Sequence, residues 1–250
     1  MISLPLLVLS ALAMFASATV QGATGFGFVI VAAPVLTIYL APTLAVPVLV
    51  VEGFVLSLVL FSRVWSDARP KRVALLMVFG VAFIPLGTVL LVSLDEHLIK
   101  VLLGLVVGVT ALAMLGGFQR TANNELVASI PVGAASGLLM GSTGLAGAPV
   151  ILFFTNQGID PRQFRANITA YLVVVGLAAL PSFLVGGLLT RDVGLLSGVL
   201  LAPSVGGLFT GIWLARHIST ALFRRIALIV VLASAKASTT SNTRASPSRP

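Results

Sequence analysis

The chain has 250 residues, of which 58% are hydrophobic and 9% charged, with a mean hydropathy of +1.13 and a net charge of +8. A soluble domain of this size could not hide so much apolar surface, so lipid is the solvent for much of it. Cys is absent, which excludes a disulfide framework, thiol chemistry and a Cys-based metal site. The basic charge sits mostly in loops and gives no argument for nucleic acid.

The apolar runs lack the period-two alternation of membrane β-strands, so the expected fold class is all-α, a polytopic membrane protein. Ten segments are expected in two sets of five: 2–20, 26–40, 43–62, 73–94 and 98–118, then 126–140, 145–155, 166–189, 193–215 and 219–235. "ASA" at 16–18 resembles a signal-peptide cleavage site, but Met1–Pro5 carries no Lys or Arg, so the first segment is expected to stay in the mature protein. Segments 43–62, 73–94, 166–189 and 193–215 each reach the ~20 residues that span a bilayer. Segments 26–40, 126–140 and 145–155 are shorter, and they border "QGATGFG" and "MGSTGLAGAP". The tail 236–250 is rich in Ser, Thr, Pro and Arg and reads as disordered.

Those two glycine-rich stretches look like copies. Gly22, Ala23, Thr24 and Gly25 align with Gly141, Ser142, Thr143 and Gly144 at an offset of 141 − 22 = 119, and each is followed by Ala-Pro. Further on, 80–87 resembles 198–205 at an offset of 118. The expected organisation is a first transmembrane repeat at 1–118, a second at 119–235, and the tail 236–250. Each repeat holds a Gly-rich broken or re-entrant helix pair followed by three transmembrane helices. If all ten segments cross and the 63–72 loop is cytoplasmic, ten of the fifteen Lys and Arg fall on the cytoplasmic side and three of the other five lie in the tail. An odd number of crossings per half then makes the repeats inverted.

Non-helical backbone survives in lipid only where protein or a water-filled cavity surrounds it. Matched breaks in inverted halves therefore point to one central site, at Gln21, Gly22, Ala23, Thr24 and Gly25 and at Gly141, Ser142, Thr143 and Gly144. A helix beginning at each break presents free N–H groups and a positive dipole end to an anion, with Thr24, Ser142 and Thr143 offering hydroxyl donors. The competing reading is helix packing, since Gly133, Gly137 and Gly141 form a small-residue ladder. Arg165 and Asn167 are read as the cytoplasmic mouth of the anion path, against a default of charge anchoring. Glu52 is the only acid deep inside an apolar segment, about 15 Å from either helix end. It is a proton-coupling candidate, with a neutral, hydrogen-bonded structural acid as the alternative. His97 and His217 lie apart in loops, so no metal is expected, and no nucleophile–base pair suggests an enzyme.

At "GATGFGFVIVAAPVL" and "GLLMGSTGLAGAPVIL" the chain resembles the sulfite exporter TauE/SafE family, also called the toluenesulfonate uptake permease family. The resemblance covers about 1–235, with Ala23, Phe26 and Ala146 where the family often has glycine. It implies a bacterial inner-membrane, multi-pass secondary transporter of sulfite, sulfoacetate or other organosulfonates. No cofactor is implied. The expected partners are a small anionic substrate and the lipid bilayer, with a homodimer left open. Export is favoured because an inside-negative potential of 100 mV drives an anion outward by about 2.3 kcal/mol per charge. The alternatives are uptake of a sulfonate or another small anion, and a non-transporting membrane scaffold.

Overall fold

The computed structural model describes residues 4–115, 125–155 and 157–215. Segment 219–235 and the tail 236–250 lie outside the described residues. The helices are α1 (Leu4–Thr24), α2 (Phe28–Leu36), α3 (Pro42–Val64), α4 (Pro70–Ser93) and α5 (Glu96–Leu115), then α6 (Glu125–Thr143), α7 (Gly147–Thr155), α8 (Pro161–Val185) and α9 (Arg191–Leu214). A single 3-10 turn, Trp65–Asp67, joins α3 to α4. Seven of these helices are long and apolar enough to cross a membrane. The protein is thus an all-helical, multi-pass membrane protein. The other two, α2 and α7, have nine residues each. Nine residues rise only about 13 Å, too little for a hydrocarbon core of ~30 Å.

Local chemistry accounts for the helix starts. Proline occupies the first turn of α3, α4 and α8, where its missing N–H costs nothing. The Asp160 carboxylate caps α8 by accepting from the Arg162 N–H at 3.0 Å. That cap and Pro161 explain why α8 begins at 161 and not at the expected 166: Arg162, Gln163 and Arg165 look like loop by hydropathy but lie in its first turns. Likewise α6 has 19 residues, longer than the expected 126–140, because glycine and serine lower its hydropathy without ending the helix.

The most extensive helix contacts are α4 with α6 and α1 with α9. Lipid removes the hydrophobic drive for helix association, so small residues that let backbones touch take its place. A Cβ at Gly137 would collide with the Gly80 carbonyl, one at Gly87 with the Leu138 carbonyl, and one at Gly141 with the Ile84 carbonyl. Across the bundle, Gly22 meets the Leu208 carbonyl, Gly207 that of Phe15 and Gly211 that of Thr19. Backbone cannot move aside as a side-chain tip can. Gly137→Val is expected to destabilise by at least about 1–3 kcal/mol, read as a lower thermal midpoint in detergent. Gly104→Ala, which meets nothing within 4 Å, should leave that midpoint unchanged or raise it.

Polar contacts fix the helix directions. Gln21 Nε2, near the end of α1, donates to Ser57 Oγ in the later half of α3 at 2.9 Å. At the other end, Ser10 and the Tyr39 hydroxyl, just before α3, lie 2.7 Å apart. Hence α1 and α3 run parallel. The starts of α4, α6 and α8 gather on one face. There Arg72 donates to Glu125 at 2.6 and 3.1 Å and to Gln157 Oε1 at 3.1 Å. On the same face the Arg69 N–H donates to Asn167 Oδ1 at 2.7 Å. Since α3 ends on this face, α6 and α8 run opposite to α1 and α3.

The glycine contacts recur at fixed spacings in the two helix pairs. Gly87 presses on Leu138 and Gly211 on Thr19, so partners spaced 138 − 19 = 119 go with glycines spaced 211 − 87 = 124. Gly141 on Ile84 and Gly22 on Leu208 give the same pair, 141 − 22 = 119 and 208 − 84 = 124. The contact pattern of α4 with α6 thus recurs in α9 with α1 at spacings of 124 and 119. The likeness of 80–87 to 198–205 has an offset of 118.

Candidate functional site

Both breaks are built alike. The helical run of α1 continues through Thr24, so Gly22, Ala23 and Thr24 are its last turn and the break itself is Gly25–Gly27. In the second half Gly141, Ser142 and Thr143 close α6, and the chain breaks at Gly144–Ala146. The Gly25 N–H returns to the Gln21 carbonyl at 2.7 Å and the Gly144 N–H to the Met140 carbonyl at 3.1 Å, again 119 apart. Both glycines take positive φ, 93° and 75°, which side chains rarely adopt. The Phe26 and Leu145 N–H groups point to the hydroxyl oxygens of Thr24 and Thr143 at 3.2 and 3.4 Å.

Hydroxyl geometry departs from the sequence reading. Thr24 donates to Val20 O or Phe26 O, Ser142 to Leu138 O and Thr143 to Leu139 O, all between 2.7 and 2.8 Å. These hydrogens go to carbonyls of the turn that carries them or, for Thr24, also to the break itself, so the three residues shape the breaks from the C-terminal ends of α1 and α6. The N-terminal ends that face the breaks belong to α2 and α7. In α2 the ladder begins with the Val31 N–H bonded to Gly27 O at 3.1 Å, leaving the N–H groups of Phe28, Val29 and Ile30 with no acceptor in their own helix.

Around this shared frame the chemistry is unequal. A Cβ on Gly25 would lie 2.7 Å from Arg165 Cγ and 3.4 Å from Thr169 Oγ1, both on α8. A Cβ on Gly144 would lie 3.3 Å from Val50 and 3.8 Å from Val46, both on α3. Val46 and Arg165 are 119 apart, as are Val50 and Thr169. One break meets the stem of an arginine and a hydroxyl, the other three valines, these two and Val29 of α2. Arg165 Nη2 donates to the Gly22 carbonyl at 2.5 Å and so covers the negative end of α1. Phe26 packs edge-on to Phe164, ring centres 5.8 Å apart, and Phe164 packs edge-on in turn against Phe154 of α7 at 6.2 Å. Asn167 is fully buried; its Oδ1 accepts from the Arg69 N–H and so holds the 65–69 turn, while its Nδ2 has no hydrogen-bond partner.

Between the breaks lies a cavity of about 40 Å³, bounded by Gln21, Gly27, Ser57, Gly144 and Gly147 and by apolar side chains of α2, α3 and α8. At ~10–15 Å³ per water it holds roughly three. Gln21 is 2% exposed and its Oε1 has no hydrogen-bond partner.

Glu52 is fully buried and accepts a hydrogen bond from the Ser204 hydroxyl of α9 through Oε2, while Oε1 has none. Its counterpart by the same spacing is Tyr171 on α8, also fully buried, which passes over Gly80 and donates to Ser136 Oγ at 2.6 Å. The sequence analysis missed Ser57 and Ser204. Each is one of two serines in its spanning helix, Ser57 beside Ser62 in α3 and Ser204 beside Ser197 in α9, and a serine in an apolar run was the available signal.

The profile of the sulfite exporter TauE/SafE family matches residues 9–237. The chain belongs to the sulfite exporter TauE/SafE family. No curated protein and no solved structure matches it. Membership of the TauE/SafE family makes this multi-pass protein a membrane transporter of sulfur-containing anions such as sulfite.

Proposed function

We propose that the chain is a secondary transporter whose anion site is the cavity between the two breaks, and that its two halves form an inverted repeat around that site. The observation that carries this reading is the matched seating of Gly25 on Arg165 and Thr169 and of Gly144 on Val46 and Val50, at one spacing, around one cavity. A scaffold needs close helix packing but has no use for two breaks facing a shared polar-ended space. In this reading the α2 and α7 N-terminal amides and Gln21 contact the anion. Thr24, Ser142 and Thr143 shape the backbone, and Arg165 cancels the repulsive end of α1. Export follows the potential, with the face of Arg72, Glu125 and Asn167 in the cytoplasm of a bacterial inner membrane.

The direct test is purified protein in liposomes with an imposed potential. Labelled sulfite should move above the rate of protein-free liposomes, and a scaffold would move none. Topology is tested separately, since the chain has no native cysteine. Single cysteines at Ser66 and Gln163 should be shielded from an impermeant thiol reagent outside the cell, and one at Thr190 should be labelled. Labelling of Ser66 and Gln163 on opposite sides would sink the inverted arrangement.

A further inference from the structure

The charge balance around the cavity bears on which ionisation state of the substrate it takes. Its lining contains no charged side chain; Gln21 and Ser57 are its polar ones. Four helix ends meet there, the C-terminal ends of α1 and α6 and the N-terminal ends of α2 and α7. Each end carries about half a charge, and the two signs cancel in pairs. What remains is the single positive charge of Arg165, set just behind the first break on the Gly22 carbonyl. A second negative charge in the cavity would be desolvated without a counter-charge, which is costly. Gln21 adds a second, independent observation. Ser57 holds its Nε2–H, leaving the buried Oε1 as an acceptor with nothing to accept. An oxyanion without hydrogen cannot satisfy that oxygen, whereas one bearing a single proton can.

We infer that the cavity selects a singly charged, singly protonated oxyanion, hydrogen sulfite over the sulfite dianion, with its proton donated to Gln21 Oε1. The inference rests on the transport reading above and narrows its substrate to one charge state. Met140 occupies the place of Gln21 in the second half, since 140 − 21 = 119, and it also lines the cavity. Only one end of the site can therefore take the proton. Three titratable groups face this region from the packed helices. Arg165 of α8 lies on Gly22, Glu52 of α3 is bonded to Ser204 of α9, and Tyr171 of α8 is bonded to Ser136 of α6. Glu52 is the one whose ionisation would cancel the Arg165 charge, so the test is run in the parent and in Glu52→Gln.

Sulfite flux into liposomes is measured with potential clamped and pH equal on both sides, varied across the second ionisation of sulfite, which falls near neutrality. In Glu52→Gln the half-saturating total sulfite should rise about tenfold per pH unit above that ionisation and stay constant when expressed as hydrogen sulfite. Sulfate, a dianion, should inhibit at least tenfold more weakly than methanesulfonate, a permanent monoanion. Gln21→Met should weaken half-saturation by hydrogen sulfite about tenfold more than it weakens inhibition by methanesulfonate, because methanesulfonate brings no proton for Gln21 Oε1 to accept; equal weakening of the two overturns the inference. A half-saturation constant in total sulfite, or sulfate inhibiting as well as methanesulfonate, overturns this inference and leaves the transport reading standing. Absence of sulfite flux at every pH overturns both.

Discussion

Arg165→Gln is expected to lower sulfite flux by about 10- to 100-fold while the protein still inserts and folds. The Gly22 carbonyl ends α1 beside the cavity, and Arg165 both donates to it at 2.5 Å and supplies the positive charge at the first break. Losing a charged hydrogen bond costs about 1.5–3 kcal/mol, and every 1.4 kcal/mol is tenfold in affinity. The glutamine amide can still donate to the carbonyl, so the fold keeps a partner there while the positive charge behind the cavity is lost. Arg165→Lys separates charge from shape. Lysine is a compact point charge that can cover a carbonyl without the guanidinium fork, so flux should recover to within about threefold of the parent. The measurement is half-saturating sulfite and maximal flux in liposomes, with thermal midpoints in detergent to confirm folding. Equal flux in parent and Gln variant would show that Arg165 only anchors α8 at the membrane face. Failure of Lys to rescue would show that the guanidinium shape, and not its charge, is what the break requires.

How far the sequence revealed this arrangement differs between the scaffold and its details. Hydropathy located every described helix because lipid demands long apolar runs, and the paired glycine motifs marked both breaks. The boundaries slipped where chemistry and hydropathy disagree. In α8, Pro161 and the Asp160 cap start a helix among residues that look like loop. In α6, the residues that lower hydropathy are the same ones that let its backbone touch α4. Motif position was legible but the direction of its hydroxyls was not: nothing in "GATG" or "GSTG" says whether a threonine closes one helix or opens the next. Gln21 and Arg165 are 144 residues apart, and only folding shows that one lines the cavity while the other stands behind its wall. The valines at 46 and 50 give no hint that they occupy the places of Arg165 and Thr169, because that correspondence appears only when the glycines they face are compared.

Glu52→Gln is expected to abolish the response of transport to a pH gradient and to leave potential-driven flux intact. Glu52 is the buried acid of α3, at 0% exposure, with Oε2 taking the Ser204 hydroxyl and Oε1 open. A carboxyl there is expensive to ionise unless water or a partner reaches it, which makes it a functional group by default. Its counterpart Tyr171 has its hydroxyl fully engaged on Ser136, so of the two matched positions only Glu52 keeps a vacant oxygen for a proton to occupy. Glutamine fills that oxygen's place with an amide that mimics the protonated acid and can still accept from Ser204. The fold should therefore survive, and flux driven by the potential should persist because Gln21 and Arg165 are untouched. Because a pH gradient also shifts the ionisation of sulfite itself, total sulfite is adjusted to hold hydrogen sulfite equal on the two sides. Under that condition the parent should accumulate sulfite along the proton gradient, and the variant should not. If the parent itself ignores the gradient, no proton moves with the anion. If both respond alike, the proton is carried elsewhere, and Glu52 is a neutral acid whose work is to tie α3 to α9 through Ser204.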